Sequence, residues 1–276
     1  MSAPSEIVAR LRAAGCVYAE EEASLLAEAA GSPAELNELT GRRVAGLPLE
    51  RVLGWARFCG LRIEIDPGVF VPRRRSEFLV SQAVQVIAAI TPGGGGSRRA
   101  ARTPVVVDLC CGTGAIGVAI ATMTGTAEIH AADIDPVAVE CARRNLATVG
   151  GHAHQGDLFG ALPPDLRGHI GVLAVNAPYV PTEEMGFLPP EARLYEPRIA
   201  LDGGPDGTSL HRRVAAGAAG WLAPGACLLI ETSERQARLT AGAMTAGGLL
   251  ASVVTDDGLD ATVVIGRLPG PGERPR

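Results

Sequence analysis

The decapeptide VVVDLCCGTG, residues 105–114, places an apolar run directly before a glycine-rich turn. Three successive valines are typical of a strand buried on both faces of a sheet. A helical pattern over residues 115–123 begins at the turn, and the glycines let the backbone approach a ligand closely. A buried strand, a glycine-rich turn and a helix together form the first unit of a parallel α/β sheet.

The same alternation continues toward the C-terminus. Further strands are predicted at residues 128–133, 169–175, 226–232, 251–255 and 261–267, and further helices at 136–146 and 235–246. This order predicts an α/β fold, a Rossmann-like and mostly parallel sheet with an antiparallel strand near its end.

The rest of the chain divides into shorter parts. Residues 1–54 carry three short helical patterns and are predicted to form a substrate-docking domain, in which Ser32 and Pro33 begin one helix. Residues 55–76 are predicted to be a β-hairpin linker whose second arm includes 69–71, after the turn at 66–68.

The remaining boundaries follow from composition. The catalytic domain is predicted to span residues 77–268, beginning with a helix that extends to Ile90. Within it, the glycine-rich segment 92–103 is predicted to be a flexible surface connection, and residues 269–276 are predicted to be a disordered tail.

Bulk properties narrow the class of protein. The net charge of −5 over 276 residues argues against binding of nucleic acid through the overall field. All 25 basic residues are arginine, which excludes a lysine Schiff base. The six cysteines lack C-x-x-C spacing, so we expect reduced thiols, no metal site and a cytoplasmic location. No apolar segment approaches the roughly 20 residues of a membrane span, so no membrane association is expected.

Two acids indicate what the glycine turn binds. Gly112, Gly114 and Gly117 match the dinucleotide pattern G-x-G-x-x-G, but a single match of this kind is weak evidence. Asp108 stands just before the turn, where it would repel a pyrophosphate and attract a cationic group. Asp133 ends the next strand, where its carboxylate can accept both hydroxyls of a ribose.

A third acid completes the pattern. Asp157 and Leu158 follow the short segment 152–155, where they can contact the amine and the ring of an adenine. A sulfonium, a ribose and an adenine together make S-adenosylmethionine the predicted cofactor; the alternative is a helix N-terminus that the acids merely cap. The predicted contacts are Asp108, Cys110, Cys111, Gly112, Thr113, Gly114, Asp133, Asp157, Leu158 and Asn176.

A second motif follows the apolar run 172–175. It consists of Asn176, Ala177, Pro178 and Tyr179, which place an amide, a backbone turn and an aromatic ring at the exit of a strand. These groups predict a catalytic site for a planar nitrogen, either an amide or an exocyclic amine. The alternative is an ordinary strand-to-loop turn in which the proline and tyrosine only pack.

With both motifs in place, the chain resembles the protein-(glutamine-N5) methyltransferases that modify peptide release factors, the HemK/PrmC type. The likeness extends over residues 47–267. Besides the cofactor loop and the tetrapeptide 176–179, it is carried by LPLERVLG at 47–54, FCG at 58–60, VPR at 71–73, SE at 76–77, EPR at 196–198, ALDGG at 200–204 and DG at 206–207.

The resemblance implies a class I S-adenosylmethionine-dependent methyltransferase that acts, as a monomer, on the glutamine of a Gly-Gly-Gln loop in a release factor or another protein. The Asn176 oxygen and the Ala177 carbonyl would accept the two amide hydrogens, and the Tyr179 ring would exclude water. The chain departs from the family pattern in two places. Ala177 replaces a proline, and Arg74-Arg75 replaces a proline and an acid, which indicates a divergent branch.

Two other functions remain open from sequence alone. One is methyl transfer to an exocyclic amine of a nucleic acid, and the other is a cofactor-binding docking protein without catalysis. Three further side chains carry expectations. His211 is predicted to lie on a helix surface, and Glu196 with Arg198 is predicted to form a buried pair at the floor of the active site.

Overall fold

A computed structural model describes residues 3–90, 103–125 and 127–273. The N-terminal part contains four helices, α1 (Ala3–Ala13), α2 (Ala19–Ala29), α3 (Pro33–Val44) and α4 (Leu49–Leu53). They pack around the fully buried Leu11 and Leu26. Three helices were expected; the fourth is a short turn of helix that ends at Gly54, whose φ of +75° suits glycine.

The helix α3 begins as its sequence predicts. The Ser32 hydroxyl accepts a hydrogen bond from the Glu35 N–H at 3.2 Å, and Pro33 occupies the first helical position. The Glu35 carboxylate accepts from the Gly31 N–H at 2.7 Å, which satisfies a second backbone donor before the helix.

The hairpin is shorter than predicted. Strand β1 (Trp55–Phe58) pairs antiparallel with β2 (Leu61–Glu64), and residues 69–71 form an irregular segment instead of the predicted second arm. The Val69 carbonyl accepts from Arg51 Nη2 at 3.1 Å, so a side chain takes the place of a ladder partner. This segment buries Val69 and Val71 and leads to the C-terminal part of the chain.

The C-terminal part is a seven-stranded sheet; its sequence predicts six of these strands, and residues 152–155 form the seventh. Its strands are β3 (Val105–Leu109), β4 (Glu128–Asp133), β5 (His152–Gln155), β6 (Ile170–Val175), β7 (Leu222–Thr232), β8 (Leu250–Asp256) and β9 (Ala261–Arg267). The spatial order is β5-β4-β3-β6-β7-β9-β8, and β9 runs antiparallel to both of its neighbours. The prediction of a mostly parallel sheet with one antiparallel strand is confirmed.

Helices cover both faces of this sheet. They are α5 (Glu77–Ile90), α6 (Ala115–Thr124), α7 (Pro136–Ala147), α8 (Pro190–Tyr195), α9 (Ser209–Ala218) and α10 (Glu234–Ala246). One apolar core lies under α5, α6 and α7, and a second lies under α9 and α10. The strand order reverses between β3 and β6, so a crevice opens at the carboxyl ends of these strands, where ligands bind in sheets of this type.

Two predicted surface segments fall partly outside the described residues. Residues 92–102 of the glycine-rich connection lie outside them, as do residues 274–276 of the predicted tail. The described part of that tail folds back, because Arg267 donates to both oxygens of Glu273 at 2.6 and 3.0 Å. Within the described ranges, no helix is long and apolar enough to cross a membrane.

Candidate active site

A cavity of about 440 Å³ occupies the crevice at the carboxyl ends of β3, β4 and β6. Eleven of the predicted site residues line it: Cys110, Cys111, Gly112, Thr113, Asp133, Asp157, Leu158, Asn176, Ala177, Pro178 and Tyr179. The irregular segment 69–71 and the residues after it contribute Val69, Phe70, Pro72 and Arg73 to the opposite wall. The fold thus brings both sequence motifs to one cavity.

The turn after β3 is held against the end of β4. The Gly112 N–H donates to Asp133 Oδ2 at 2.9 Å, and the Cys111 N–H donates to the Ala132 carbonyl at 3.1 Å. Cys110 has a φ of +60°, an uncommon conformation for a residue with a side chain. Burial raises the pKa of the Cys110 and Cys111 thiols, so both stay protonated and are poor nucleophiles.

Asp133 is arranged to bind a diol. Its Oδ1 accepts from the Asp135 N–H at 3.0 Å while Oδ2 accepts from Gly112, which fixes the orientation of the carboxylate. Each oxygen keeps a lone pair for a ligand hydroxyl. A Cβ built on Gly112 meets no heavy atom of the described residues within 4 Å, so the space beside the turn is free. This arrangement fits the ribose of the predicted cofactor.

Asp108 and Gly114 lie behind the cavity wall, which corrects their predicted roles. Asp108 is fully buried, and its Oδ2 accepts from the Gly117 N–H at 2.9 Å. Burial raises the pKa of Asp108 to about 8, so the neutral acid predominates near pH 7 and is unsuited to hold a cation. A Cβ on Gly114 would come within 3.2 Å of the Ala142 Cβ, so this glycine allows α6 and α7 to approach.

Asp108 makes the stability of the protein depend on pH. Its pKa is raised from 3.8 to about 8, so between these values the folded protein keeps a proton that the unfolded chain releases. The free energy of unfolding therefore falls as the pH rises through this window, with a slope of up to about 1.4 kcal/mol per pH unit. We expect Asp108→Asn to flatten this dependence, measured by urea denaturation from pH 5 to 8. Parallel curves for the two proteins would contradict the assignment.

The predicted adenine contacts include an ion pair that the sequence did not indicate. Asp157 accepts from Arg213 Nη2 on α9 at 2.6 Å, and both side chains are about half exposed. Leu158 lines the cavity with a φ of +49°, a second uncommon backbone conformation at this site. An adenine amine would therefore share the Asp157 carboxylate with Arg213.

The tetrapeptide begins where β6 ends. The Asn176 Nδ2 donates to the Ser76 hydroxyl at 3.1 Å, which leaves Oδ1 as the free acceptor of this amide. Tyr179 donates its hydroxyl to Glu231 Oε1 at 3.3 Å. Burial raises the pKa of Tyr179 well above its ordinary value, so the hydroxyl stays protonated and does not act as a base.

The segment 200–207 holds the tetrapeptide from behind. Gln236 donates to the Tyr179 carbonyl at 2.8 Å and to the Asp206 carbonyl at 2.9 Å. A Cβ on Gly203 would lie 2.7 Å from the Pro178 carbonyl oxygen, and one on Gly207 would lie 2.2 Å from the Tyr179 carbonyl oxygen. The two glycines are therefore needed for this backbone to pack against the tetrapeptide.

The predicted pair of Glu196 with Arg198 is wrong. Glu196 is buried and accepts from Arg73 Nη2 at 2.5 Å, a contact that closes the wall beside residues 69–71. Arg198 is exposed and donates to Asp202 at 3.0 and 3.1 Å. Arg198 begins a short 3₁₀ turn (Arg198–Ala200) and pairs with Asp202 four residues on instead of with Glu196.

His211 is buried, not on the helix surface as predicted. Its Nδ1 lies 2.9 Å from the Thr240 hydroxyl, and its ring lies 6.5 Å from the Tyr179 ring. Burial lowers the pKa of His211 to about 4, so the imidazole is neutral near pH 7. It packs behind Tyr179.

Sequence reasoning missed four polar residues that support the motifs: Arg75, Ser76, Glu231 and Gln236. Ser76 stood in the quoted SE motif, and Glu231 ends an apolar strand, where a buried acid is rare unless paired. These two sequence features could have indicated Ser76 and Glu231. The contacts themselves join distant residues, 100 positions apart for Ser76 with Asn176 and more for Arg75 with Glu231, and no local pattern indicates them.

Comparison with known proteins agrees with the fold. A family model described as the methyltransferase small domain matches residues 98–180. A release factor glutamine methyltransferase from Geobacter sulfurreducens is 34% identical over 82% of this chain and 75% of its own length. A 4-amino-L-phenylalanine/4-methylamino-L-phenylalanine methyltransferase from Streptomyces pristinaespiralis is 34% identical over 71% of this chain and 64% of its own length.

A solved structure shares the architecture. The T. thermophilus 16S rRNA N2 G1207 methyltransferase, in complex with S-adenosylmethionine and guanosine, has 19% identity and a TM-score of 0.52. The match covers 78% of this chain and 49% of that chain. At this identity the likeness concerns the fold alone, and it confirms the predicted methyltransferase sheet.

Proposed function

We propose, because this chain belongs to the release factor glutamine methyltransferase family, that it transfers a methyl group from S-adenosylmethionine to a glutamine of a peptide release factor. The protein is an enzyme, and S-adenosylmethionine is its cofactor. The observation that carries the proposal is the Asn176 amide, whose Nδ2 is bonded to Ser76 while Oδ1 is free beside the cavity.

The residues of the cavity fit the cofactor. Asp133 would hold the ribose hydroxyls, the backbone of residues 110–113 would lie along the amino acid part, and Leu158 would pack against the adenine. When bound, S-adenosylmethionine supplies a methyl group made electrophilic by its sulfonium. Asp108 supports this site from behind by holding the Gly117 N–H.

The tetrapeptide can activate an amide nitrogen, which is a weak nucleophile. An amide nitrogen reacts poorly because its lone pair is delocalised into the carbonyl. Asn176 Oδ1 and the Ala177 carbonyl can each accept one of its hydrogens, which orients the nitrogen and increases its electron density. Tyr179 excludes water from the same place. The nitrogen would bond to the methyl carbon as the carbon–sulfur bond of the cofactor breaks, leaving S-adenosylhomocysteine. The methylated nitrogen would then lose its now acidic proton to solvent, so no dedicated base is required.

An outer groove gives a protein acceptor a place beside the cavity. The two spaces share Arg75, Tyr179 and Val180, and the groove continues past Glu184 to the exposed Phe187. We assign the groove to the residues that flank the target glutamine, because a side chain alone does not fill both spaces.

The N-terminal helices are proposed to help in docking this acceptor. Arg43 on α3 bonds to Glu22 at 2.7 Å and to Glu191 on α8 at 3.1 Å, and Glu191 lines the cavity. The helices thus contact the segment that borders the acceptor. We propose further that the enzyme acts as a monomer in the cytoplasm, and that nucleic acid is not its substrate.

Mass spectrometry of a release factor tests the function. We expect one added methyl on the glutamine of the Gly-Gly-Gln loop after incubation with the enzyme and S-adenosylmethionine. A release factor with that glutamine changed to asparagine is the matched control and should stay unmodified. RNA and 4-amino-L-phenylalanine serve as competing acceptors. Methylation of either one, with none on the release factor, would overturn the proposal.

A further inference from the structure

We propose that Ser76 and Glu231 are positioning residues that decide which end of the Asn176 amide faces the acceptor, and that Arg75 keeps Glu231 in the state this requires. The inference rests on the proposed function, because it concerns the orientation of the amide that would bind the acceptor nitrogen. It assigns a role to three residues that do not themselves react.

The first step concerns the single proton of Ser76. Its hydroxyl oxygen accepts from Asn176 Nδ2 at 3.1 Å, so its own proton must point elsewhere. Near this hydroxyl is the carboxyl group of Glu231 at the end of β7, whose side chain is 2% exposed. The Ser76 hydroxyl lowers the pKa of this carboxyl group. Glu231 Oε2 is buried and has no hydrogen-bond partner among the described residues, so a proton that Ser76 turns toward it would satisfy this orphan acceptor.

The second step is the direction of the hydrogen bonds. An ionised carboxylate only accepts, so in a hydrogen bond between these two side chains Ser76 donates to Glu231 and can then only accept from Asn176. The amide is therefore held with Nδ2 toward Ser76 and Oδ1 toward the acceptor. If Glu231 gained a proton, it could donate to Ser76, and Ser76 could donate to Asn176. The Asn176 amide would then turn its NH₂ group toward the acceptor. The acceptor's own N–H would meet a second donor there and could form no hydrogen bond with it.

The third step concerns the charge of Glu231. Three groups face it: Arg75 and Ser76 from the turn before α5, and Tyr179 from the loop after β6. Arg75 Nε lies 3.6 Å from Oε1, and its guanidinium lies 5.8 Å from the Tyr179 ring. Burial raises the pKa of Glu231, and the three groups oppose this rise. Arg75 is the one cation among these three groups. Its removal therefore favours the protonated form of Glu231, in which the Asn176 NH₂ group faces the acceptor.

The pH dependence of kcat separates this role from a merely structural one. We expect Arg75→Gln to move the acid limb of the kcat profile up by about one pH unit, because an opposite charge this close lowers a carboxyl pKa by that order. The exposed neighbour Arg74 provides the control, since Arg74→Gln removes the same charge and should leave the acid limb in place. Equal profiles for both variants would overturn the proposal.

Substitutions of Ser76 test the relay, by which we mean the chain of hydrogen bonds from Glu231 through Ser76 to Asn176. Ser76→Thr keeps a hydroxyl and should retain kcat, whereas Ser76→Ala should lower kcat by tenfold or more with little change in cofactor affinity. Glu231→Gln cannot titrate and should lose the acid limb. If Ser76→Ala and Ser76→Thr behave alike while both remain folded, the relay is wrong.

A measurement without turnover keeps the test independent of the acceptor. The side-chain ¹⁵N–¹H signals of Asn176, identified by their loss in Asn176→Asp, should titrate with the protonation of Glu231, and the midpoint should rise in Arg75→Gln. A release factor that stays unmethylated would contradict the proposed function, while an Asn176 signal that ignores pH would contradict the relay.

Discussion

Asn176→Ala is expected to lower kcat for methylation of a release factor by about 10²–10³-fold, the usual cost of removing one preorganised hydrogen-bonding group at a reacting centre. The substitution removes the Oδ1 that would accept an acceptor N–H and leaves the Ser76 hydroxyl without its donor. Single-turnover transfer measures the loss, and calorimetric titration with S-adenosylmethionine separates it from cofactor binding, to which Asn176 is also predicted to contribute.

A matched control uses another asparagine. Asn37 on α3 is exposed and accepts from Arg10 Nη1 at 2.7 Å, far along the chain from the cavity. With the release factor at saturation, Asn37→Ala should leave the rate of transfer and the cofactor affinity unchanged, since weaker docking would raise KM alone. If Asn176→Ala keeps the wild-type rate, the tetrapeptide is not the acceptor site and the catalytic assignment fails.

Gly203→Ala is the second substitution with a large expected effect. Its Cβ would lie 2.6 Å from the Gly207 carbonyl oxygen and 2.7 Å from both the Pro178 carbonyl oxygen and the Tyr179 Cα. These are backbone atoms, so the tetrapeptide itself must shift. We expect a loss of about 1–3 kcal/mol in the free energy of unfolding and a fall in kcat of about 10²-fold from the displaced groups.

Urea denaturation and kcat, measured on the same protein, separate the two effects. Gly242→Ala on α10 is the control, because no heavy atom of the described residues lies within 4 Å of the new Cβ. In a helix this change should raise stability by about 0.5–1 kcal/mol and leave kcat unchanged. A Gly203→Ala enzyme with full kcat would show that the packing behind the tetrapeptide does not position it.

The sheet and both motifs could be predicted because local sequence patterns indicate them. Apolar runs such as 105–109 and 170–175 identify buried strands, and each motif stands at the end of such a run. Parallel strands place their carboxyl ends together, so two motifs 60 residues apart in sequence were expected to meet at one crevice.

The supporting contacts could not be predicted because they join distant parts of the chain. Ser76 meets Asn176 across 100 positions, and Arg73 meets Glu196 across 123. The depth of burial was also misjudged. Asp108 and His211 have polar side chains that suggested a ligand contact and an exposed position, yet both are buried beneath other elements. Only the packing of the whole sheet decides such burial.

Ala177 has a consequence for what holds the turn of the tetrapeptide in place. A proline in this position would stiffen the turn from within, but here the turn is held from outside by Gly203, Gly207 and Gln236. Because a separate segment supplies the stiffness, the turn needs no proline ring at residue 177, whose alanine side chain is 1% exposed and packs in the core. The rigidity of this turn is therefore shared among separate parts of the chain, so a substitution in segment 200–207 or at Gln236 reaches the tetrapeptide without changing its sequence.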